Sequence, residues 1–291
     1  MTNALATFSK KVESQLVDPL RNINIGRKLV SVTPAQGFGV SSVDWGKITE
    51  MSAGYVSYGF TDGNEDMIDV ALTNSKIPVY WKDYKVPRRM YESWKVNGTD
   101  IDSAAAISAG YQTVSTEDLA IIQGVTNDGT NYDILGLYQG AGNDCSTSLD
   151  FGTWGNAIKA VAGAKNLMVA DGVPAYNMPL NMVLPSTQYG ELEASVHSTS
   201  GQLEMPIVER MLNGGAVFAV PETVLPESNG LILPTAAAGK PYFDYYLTQN
   251  YTVEHGFNSE HPDTGDLTGR VYTAGILRIK HSVAICKISG I

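Results

Sequence analysis

A chain of 291 residues with 43% apolar composition is long enough to bury one large core or two medium ones, which excludes a disordered polymer. Thirty acidic against twenty basic residues, a net charge of −10, exclude a protein whose main task is to grip nucleic-acid phosphates. The start, MTNALATFSKK, lacks a continuous apolar stretch, and nowhere do about eighteen apolar residues run together, so neither a signal peptide nor a membrane span is expected. Cys145 and Cys286 lie far apart without a CxxC spacing, and the reading is two ordinary reduced or buried thiols.

In chain order, Leu5, Phe8, Val12 and Leu16 recur at spacings of three and four, which predicts an amphipathic helix over residues 4–18 that Pro19 helps to end. Its single apolar face asks for a partner surface. Leu29, Val30 and Val32 predict a strand, closed by the loop at 34–39. Gly26 reads as the turn that releases the helix, with Arg27 and Lys28 opening the strand; a phosphate loop would need further glycines and a following helix.

Residues 46–86 alternate polar and apolar side chains on both sides of TDGNED, which predicts a long two-stranded hairpin with its tip near Asp62 and Gly63. Isolated hairpins are marginal in water, so this arm is expected to pack on another surface, such as a second subunit. Ala104, Ile107, Tyr111, Val114 and Ile121 fall near helical spacing and predict the longest helix, over 101–123, with Gly124 as its cap. The Gly/Asn/Asp-rich stretch from Thr126 to Ser148 reads as a surface loop with room for one short strand. A second helix follows, carrying Trp154, Ile158, Val161 and Met168 on one face.

Beyond residue 177, strands and helices alternate. The pattern predicts a strand at NMVLP, helices at STQYGELEASV and EMPIVERML, the pair Gly214-Gly215, and a strand at AVFAVP. Strands near 231–234, 242–247 and 249–255 come next, and two more end the chain. The fold class is α+β.

Chemistry is sparse. GxGxxG, GxxxxGK[ST], GxSxG and HExxH are all absent from the sequence, which removes the motifs with the clearest mechanisms. His255 and His261 stand among Glu254, Glu260, Asp263 and Asp266; the spacing matches no zinc or calcium pattern, so a solvated acidic loop is preferred to a metal site. The same argument makes the stretch at 126–133 a turn and not a calcium loop. Arg88 and Arg89, near Tyr91, Trp94 and Lys95, could form a nucleic-acid patch, but Asp83, Glu92 and the overall negative charge work against it, so inter-subunit or intra-chain ion pairing is the preferred reading. The small polar run from His197 to Gly201 is either a mobile loop or a loop gathered around a symmetry axis or pore.

This order of elements resembles the encapsulin and tailed-phage major capsid family, the Hong Kong 97-like capsid fold. The resemblance is carried by Gly26, Arg27, Lys28, Leu29, Val30 and Val32, and it continues through SKIPVYWKDYKVPRRMYESW, similar to the return strand of an extended arm. STEDLAIIQG resembles the end of the family's spine helix, and MPIVERMLNGGAVFAVP its axial helix, double glycine and strand. The resemblance implies an N-terminal helix and strand over 1–45 and an extended loop over 46–90. It further implies a peripheral domain over 91–173 and 235–291, with a spine helix at 101–123, and an axial domain over 174–234.

It also implies assembly contacts. These are the extended-loop tip Thr61, Asp62, Gly63, Asn64 and Glu65; the axial pore loop His197, Ser198, Thr199, Ser200 and Gly201; and an N-terminal interface of Leu5, Phe8, Val12, Arg27 and Lys28. The implied partner is the chain itself, in pentamers and, in larger shells, hexamers, with no cofactor, no membrane and no enzymatic activity. An N-terminal helix that is short and lacks Trp, and a Gly/Asn-rich insertion at 127–152, favour a viral major capsid protein. Its virion would be assembled in the host cytoplasm and would enclose double-stranded DNA without strong sequence-specific binding. The alternatives are a cytoplasmic encapsulin nanocompartment enclosing cargo protein and, behind it, an α+β enzyme with a His/acidic metal site.

Overall fold

The computed structural model describes residues 23–34, 37–48, 70–97, 101–126, 132–146, 149–257 and 265–291. The helix expected over 4–18, with Leu5, Phe8 and Val12, and the arm tip from Thr61 to Glu65 lie outside the described residues, as does His261.

The chain enters through a one-turn helix, α1 (Gly26–Leu29), and a two-residue strand, β1 (Ser31–Val32). The sequence pattern put Arg27 and Lys28 at the start of a strand, and the structure corrects this. Asp118 accepts the backbone N–H groups of Ile25 and Gly26, at 3.2 and 2.7 Å, which turns the backbone into a helix before β1 begins. A Cβ at Gly26 would lie 2.9 Å from that same carboxylate and 3.1 Å from Ile121, so glycine is required by the close approach.

Strands β2 (Ser42–Ile48) and β3 (Val70–Lys76) pair antiparallel, from Ser42 against Lys76 to Ile48 against Val70. The arm therefore uses 42–48 and 70–76, not the whole of 46–86. After Ile77 and Pro78 the chain leaves the hairpin, and β4 (Val79–Val86) joins a different sheet. A helix, α2 (Arg88–Asn97), then occupies residues that the resemblance assigned to the return strand. Pro87 immediately before it fixes the entry φ, and the Arg88–Glu92 pair at 2.7 Å supports its first turns.

The long helix α3 (Ile101–Ile122) stands where the spacing predicts it. It packs on a four-stranded sheet of order β1-β11-β12-β4, in which β11 (Phe243–Phe257) and β12 (Leu267–Ile279) form the long central pair. The pattern predicted two strands at 242–247 and 249–255; the structure has one, with bulges between Leu247 and Gln249 and between Gln249 and Thr252. The break in alternation was therefore a bulge, which re-aims side chains without ending a strand. Small residues on α3, Ala106 and Ala109, let the helix close on Tyr251, Val253 and Val271.

The second core lies under a mixed five-stranded sheet of order β7-β13-β10-β8-β9. Its members are β7 (Asn143–Ser146), β8 (Leu180–Pro185), β9 (Val217–Val220), β10 (Asn229–Pro234) and β13 (Cys286–Ser289). Every residue of β8 is buried, as befits a central strand covered on both faces. Helix α4 (Asn156–Ala170) supplies Ala157, Ala160, Val161, Ala164 and Met168 to this core, while α5 (Ser186–Ala194) and α6 (Met205–Met211) add Leu192 and Val208. The expected axial boundaries at 174 and 234 thus cut through a packed unit, because α4, β7 and β13 share its core. The Gly/Asn-rich stretch likewise holds β5 (Gly124–Thr126) and β6 (Tyr132–Leu135) as well as β7.

Candidate assembly surfaces and the network behind them

Glu117, fully buried in α3, is the hub of the entry segment. Its Oε1 accepts Arg27 Nε at 3.1 Å, Arg27 Nη2 at 2.8 Å and the Tyr245 hydroxyl at 2.7 Å. Its Oε2 accepts Asn24 Nδ2 at 2.8 Å and the Tyr251 hydroxyl. Arg27 also donates to Asn250 Oδ1 and Thr273 Oγ1, at 3.0 and 2.7 Å, and lies 4.4 Å from the centre of the Tyr251 ring. Two N–H groups of one guanidinium converge on one carboxylate oxygen, with the other oxygen taken by Asn24 and Tyr251, a geometry in which a buried ion pair holds.

Burial and the Glu117 carboxylate push the phenols of Tyr245 and Tyr251 up, so both remain donors. Burial alone would lower the pKa of Arg27, but Glu117 outweighs it and the guanidinium stays charged. Asp118 is different. Burial pushes its carboxyl up to about 7 against the pull of the Gly26 and Ile25 N–H groups.

Arg27 therefore directs its guanidinium into its own subunit, while Lys28 is on the exposed side. Sequence reasoning missed Glu117, Asn24, Tyr245 and Tyr251. One signal was available: two adjacent carboxylates, Glu117 and Asp118, within the apolar run that ends α3.

The segment from Ser195 to Glu204 is a small hairpin closed by a bridge between Val196 and Leu203. His197 N donates to Gln202 O and Gly201 N to His197 O, both at 2.9 Å, and Gly201 turns the tip at φ +68°. Ser198, Thr199, Ser200 and Gly201 are exposed, so the structure gathers the sequence-predicted tip residues at one point. Buried Glu204 anchors the base. Its carboxylate accepts Gly155 N at 3.1 Å, Ile158 N at 3.2 Å and Ser195 Oγ at 2.8 Å, and thereby serves the open N–H groups at the start of α4.

On the arm, Leu72 is 79% exposed, and β2 and β3 pair with no other strand among the described residues. On the face of the four-stranded sheet away from α3, Trp81 and Phe38 are exposed and the Phe38 and Tyr272 rings meet edge to face at 5.4 Å. The charges around them are paired: Arg270 with Asp83 at 2.6 Å, and Lys85 with Asp266 at 2.8 Å. Arg88 pairs with Glu92, so the ion-pair reading holds for that residue, whereas Asp83 goes to Arg270.

Glu254 accepts the Tyr272 hydroxyl and Asp266 the Arg88 N–H. Among the described residues no three His, Cys, Asp or Glu side chains are grouped to hold a metal ion. Cys145 and Cys286 are free and buried, and burial pushes the Cys286 thiol up to about 12, far from a reactive thiolate. No helix among the described residues is long and apolar enough to cross a membrane.

An arm that pairs with no other strand among the described residues, a long helix on a four-stranded sheet and a loop-tipped second unit define a subunit of the Hong Kong 97-like shell class. A virus-like particle from Pyrococcus furiosus has this fold, with a TM-score of 0.68, 20% identity, and 97% of this chain and 99% of that chain covered. The capsid of Myoviridae phage XM1 has it too, at a TM-score of 0.68 and 14% identity over 92% of both chains.

The family itself follows from the sequence match. The model of the family described as "Encapsulating protein for peroxidase" matches residues 5–266, and the chain belongs to that family as a self-assembling shell subunit. It is 27% identical over 272 residues to a diheme-cytochrome-encapsulin shell fusion protein of Kuenenia stuttgartiensis, covering 91% of this chain and 68% of that one. It is 22% identical over 285 residues to the type 1 encapsulin shell protein EncA of Myxococcus xanthus, covering 96% and 91%.

Proposed function

We propose that copies of this chain close into an icosahedral shell of pentamers, with hexamers if the shell is large, and that the shell encloses protein cargo in the cytoplasm. The family match over residues 5–266 carries this reading. In it the β2–β3 arm lies over a neighbouring subunit, and the loop at 195–204 surrounds a symmetry axis. An arm that pairs with no other strand among the described residues and shows Leu72 to solvent is what such an overlap needs. Heterologous contacts of this kind close into rings when the rotation allows it.

The second reading, a viral capsid around double-stranded DNA, shares the shell and differs only in content. Its support is the equal fold likeness to a phage capsid. A net charge of −10 suits either, since neither content requires the wall to grip phosphate.

Sedimentation and nuclease-protected nucleic acid decide both points. Particles of megadalton mass that yield no protected DNA are the expected result. A monodisperse monomer at near-physiological salt overturns the shell, and genome-length protected DNA overturns the protein cargo.

A further inference from the structure

We propose that His197 is a proton-sensitive latch on the 195–204 loop: its neutral ring holds the tip in shape, and its protonation releases it. His197 Nδ1 accepts Ser200 N–H at 3.1 Å and faces Thr199 N–H at 3.4 Å, with Ser200 Oγ at 3.0 Å. A backbone amide nitrogen only donates. Nδ1 must therefore present a lone pair, and the proton of the neutral ring is on Nε2. A second proton puts an Nδ1–H against two N–H groups, and the contacts that fold the tip become repulsions.

No carboxylate in place compensates the added charge; of the groups at Nδ1 only the Ser200 hydroxyl can turn to accept the new N–H, and it does not restore the two amide contacts. The ring's other neighbour is the neutral Trp154, with ring centres 5.2 Å apart and planes at 75°. The loop's one carboxylate, Glu204, is committed to Gly155, Ile158 and Ser195. Glu191 and Glu193 lie on α5, ahead of the loop, and neither they nor any other charged side chain among the described residues bonds to the ring. The latch is set by whether Nδ1 presents a lone pair or an N–H. The loop's base does not depend on it: the Val196–Leu203 bridge and the Glu204 contacts involve no group that this proton alters. Motion is thus confined to the tip. Where the tip lines an axial opening, which rests on the reading under Proposed function, the latches of one ring reshape that opening together.

Hydrogen exchange of the peptides spanning 195–204, read by mass spectrometry on the full chain at pH 7.5 and 5.5 and corrected for intrinsic rates, tests the latch. The Ser200 amide should lose protection about tenfold at pH 5.5. His197→Asn offers Oδ1 in place of Nδ1 and cannot gain a proton, so it should stay protected at both values; His197→Ala should be unprotected at both. Equal wild-type protection at the two values overturns the proposal, as does an equal loss in wild type and His197→Asn. The exchange is read within a single chain, so the latch can fail while the shell stands, and the reverse.

Discussion

At the scale of single residues, the arrangement around Glu117 makes the entry segment depend on one carboxylate. Asn24 and Arg27 from the entry segment and Tyr245 and Tyr251 from β11 come from two separate parts of the chain, and all four donate to it. Glu117→Gln keeps the volume but leaves Arg27 buried without its counter-charge, and breaking a buried pair from one side costs on the order of 3 kcal/mol. A lower urea midpoint by that amount is the expected result; an unchanged midpoint would mean the pair contributes nothing net. Asp118, next to it, acts in the opposite sense. Its folded-state pKa, raised by burial to about 7, lies above the ordinary carboxylate value, so the folded subunit holds the proton more tightly than the unfolded chain. The sign follows: this group's contribution is full below about pH 4 and is lost as pH rises to about 7. Asp118→Asn should flatten that part of the stability profile by on the order of 4 kcal/mol between pH 4 and 8, as urea midpoints across the range will show.

Among the elements, the junction after α6 is the most constrained. Asn213 and Gly214 take left-handed conformations, at φ 56° and 92°, and Asn213 Nδ2 ties the turn to Tyr176 O at 2.8 Å. Gly215 follows, where a Cβ would fall 1.5 Å from Leu180 O. Ala at 215 must therefore push β9 away from β8, and we expect a loss of about 3 kcal/mol or more, or insoluble chain, against wild-type yield and midpoint. The double glycine was legible in the sequence, as were α3, α4 and the apolar run of β8, because periodicity and continuous burial leave strong patterns. Other elements were not. The alternation of 79–86 was read as arm because period two reports a strand and says nothing about its partner. β5, β6 and β7 were hidden in Gly/Asn-rich sequence, since short ladders are held by backbone bonds that any composition supplies. α2 was masked by a likeness that ran on past Pro87, and Glu117 by the absence of any local cue to its partners 90 to 134 positions away.

For the whole molecule, the described residues divide into surface that is finished and surface that is not. The sheet face bearing Trp81 carries paired charges, and the α4 core is closed by Glu204. The arm is the unfinished part. Two strands that pair only with each other do not form a stable unit in water, and β3 shows Leu72 to solvent where a self-contained hairpin would show a polar residue. Among the described residues none of the three buried clusters draws a residue from β2 or β3. The subunit's own stability therefore does not run through the arm, which leaves the arm available for the neighbour contact proposed above. Deleting residues 58–68, the expected tip, should leave a soluble subunit whose urea midpoint stays within about 0.5 kcal/mol of wild type, while megadalton particles disappear from sedimentation profiles. Normal particles after the deletion would remove the arm from assembly, and a deletion chain that no longer folds would show that the arm belongs to the subunit's own core.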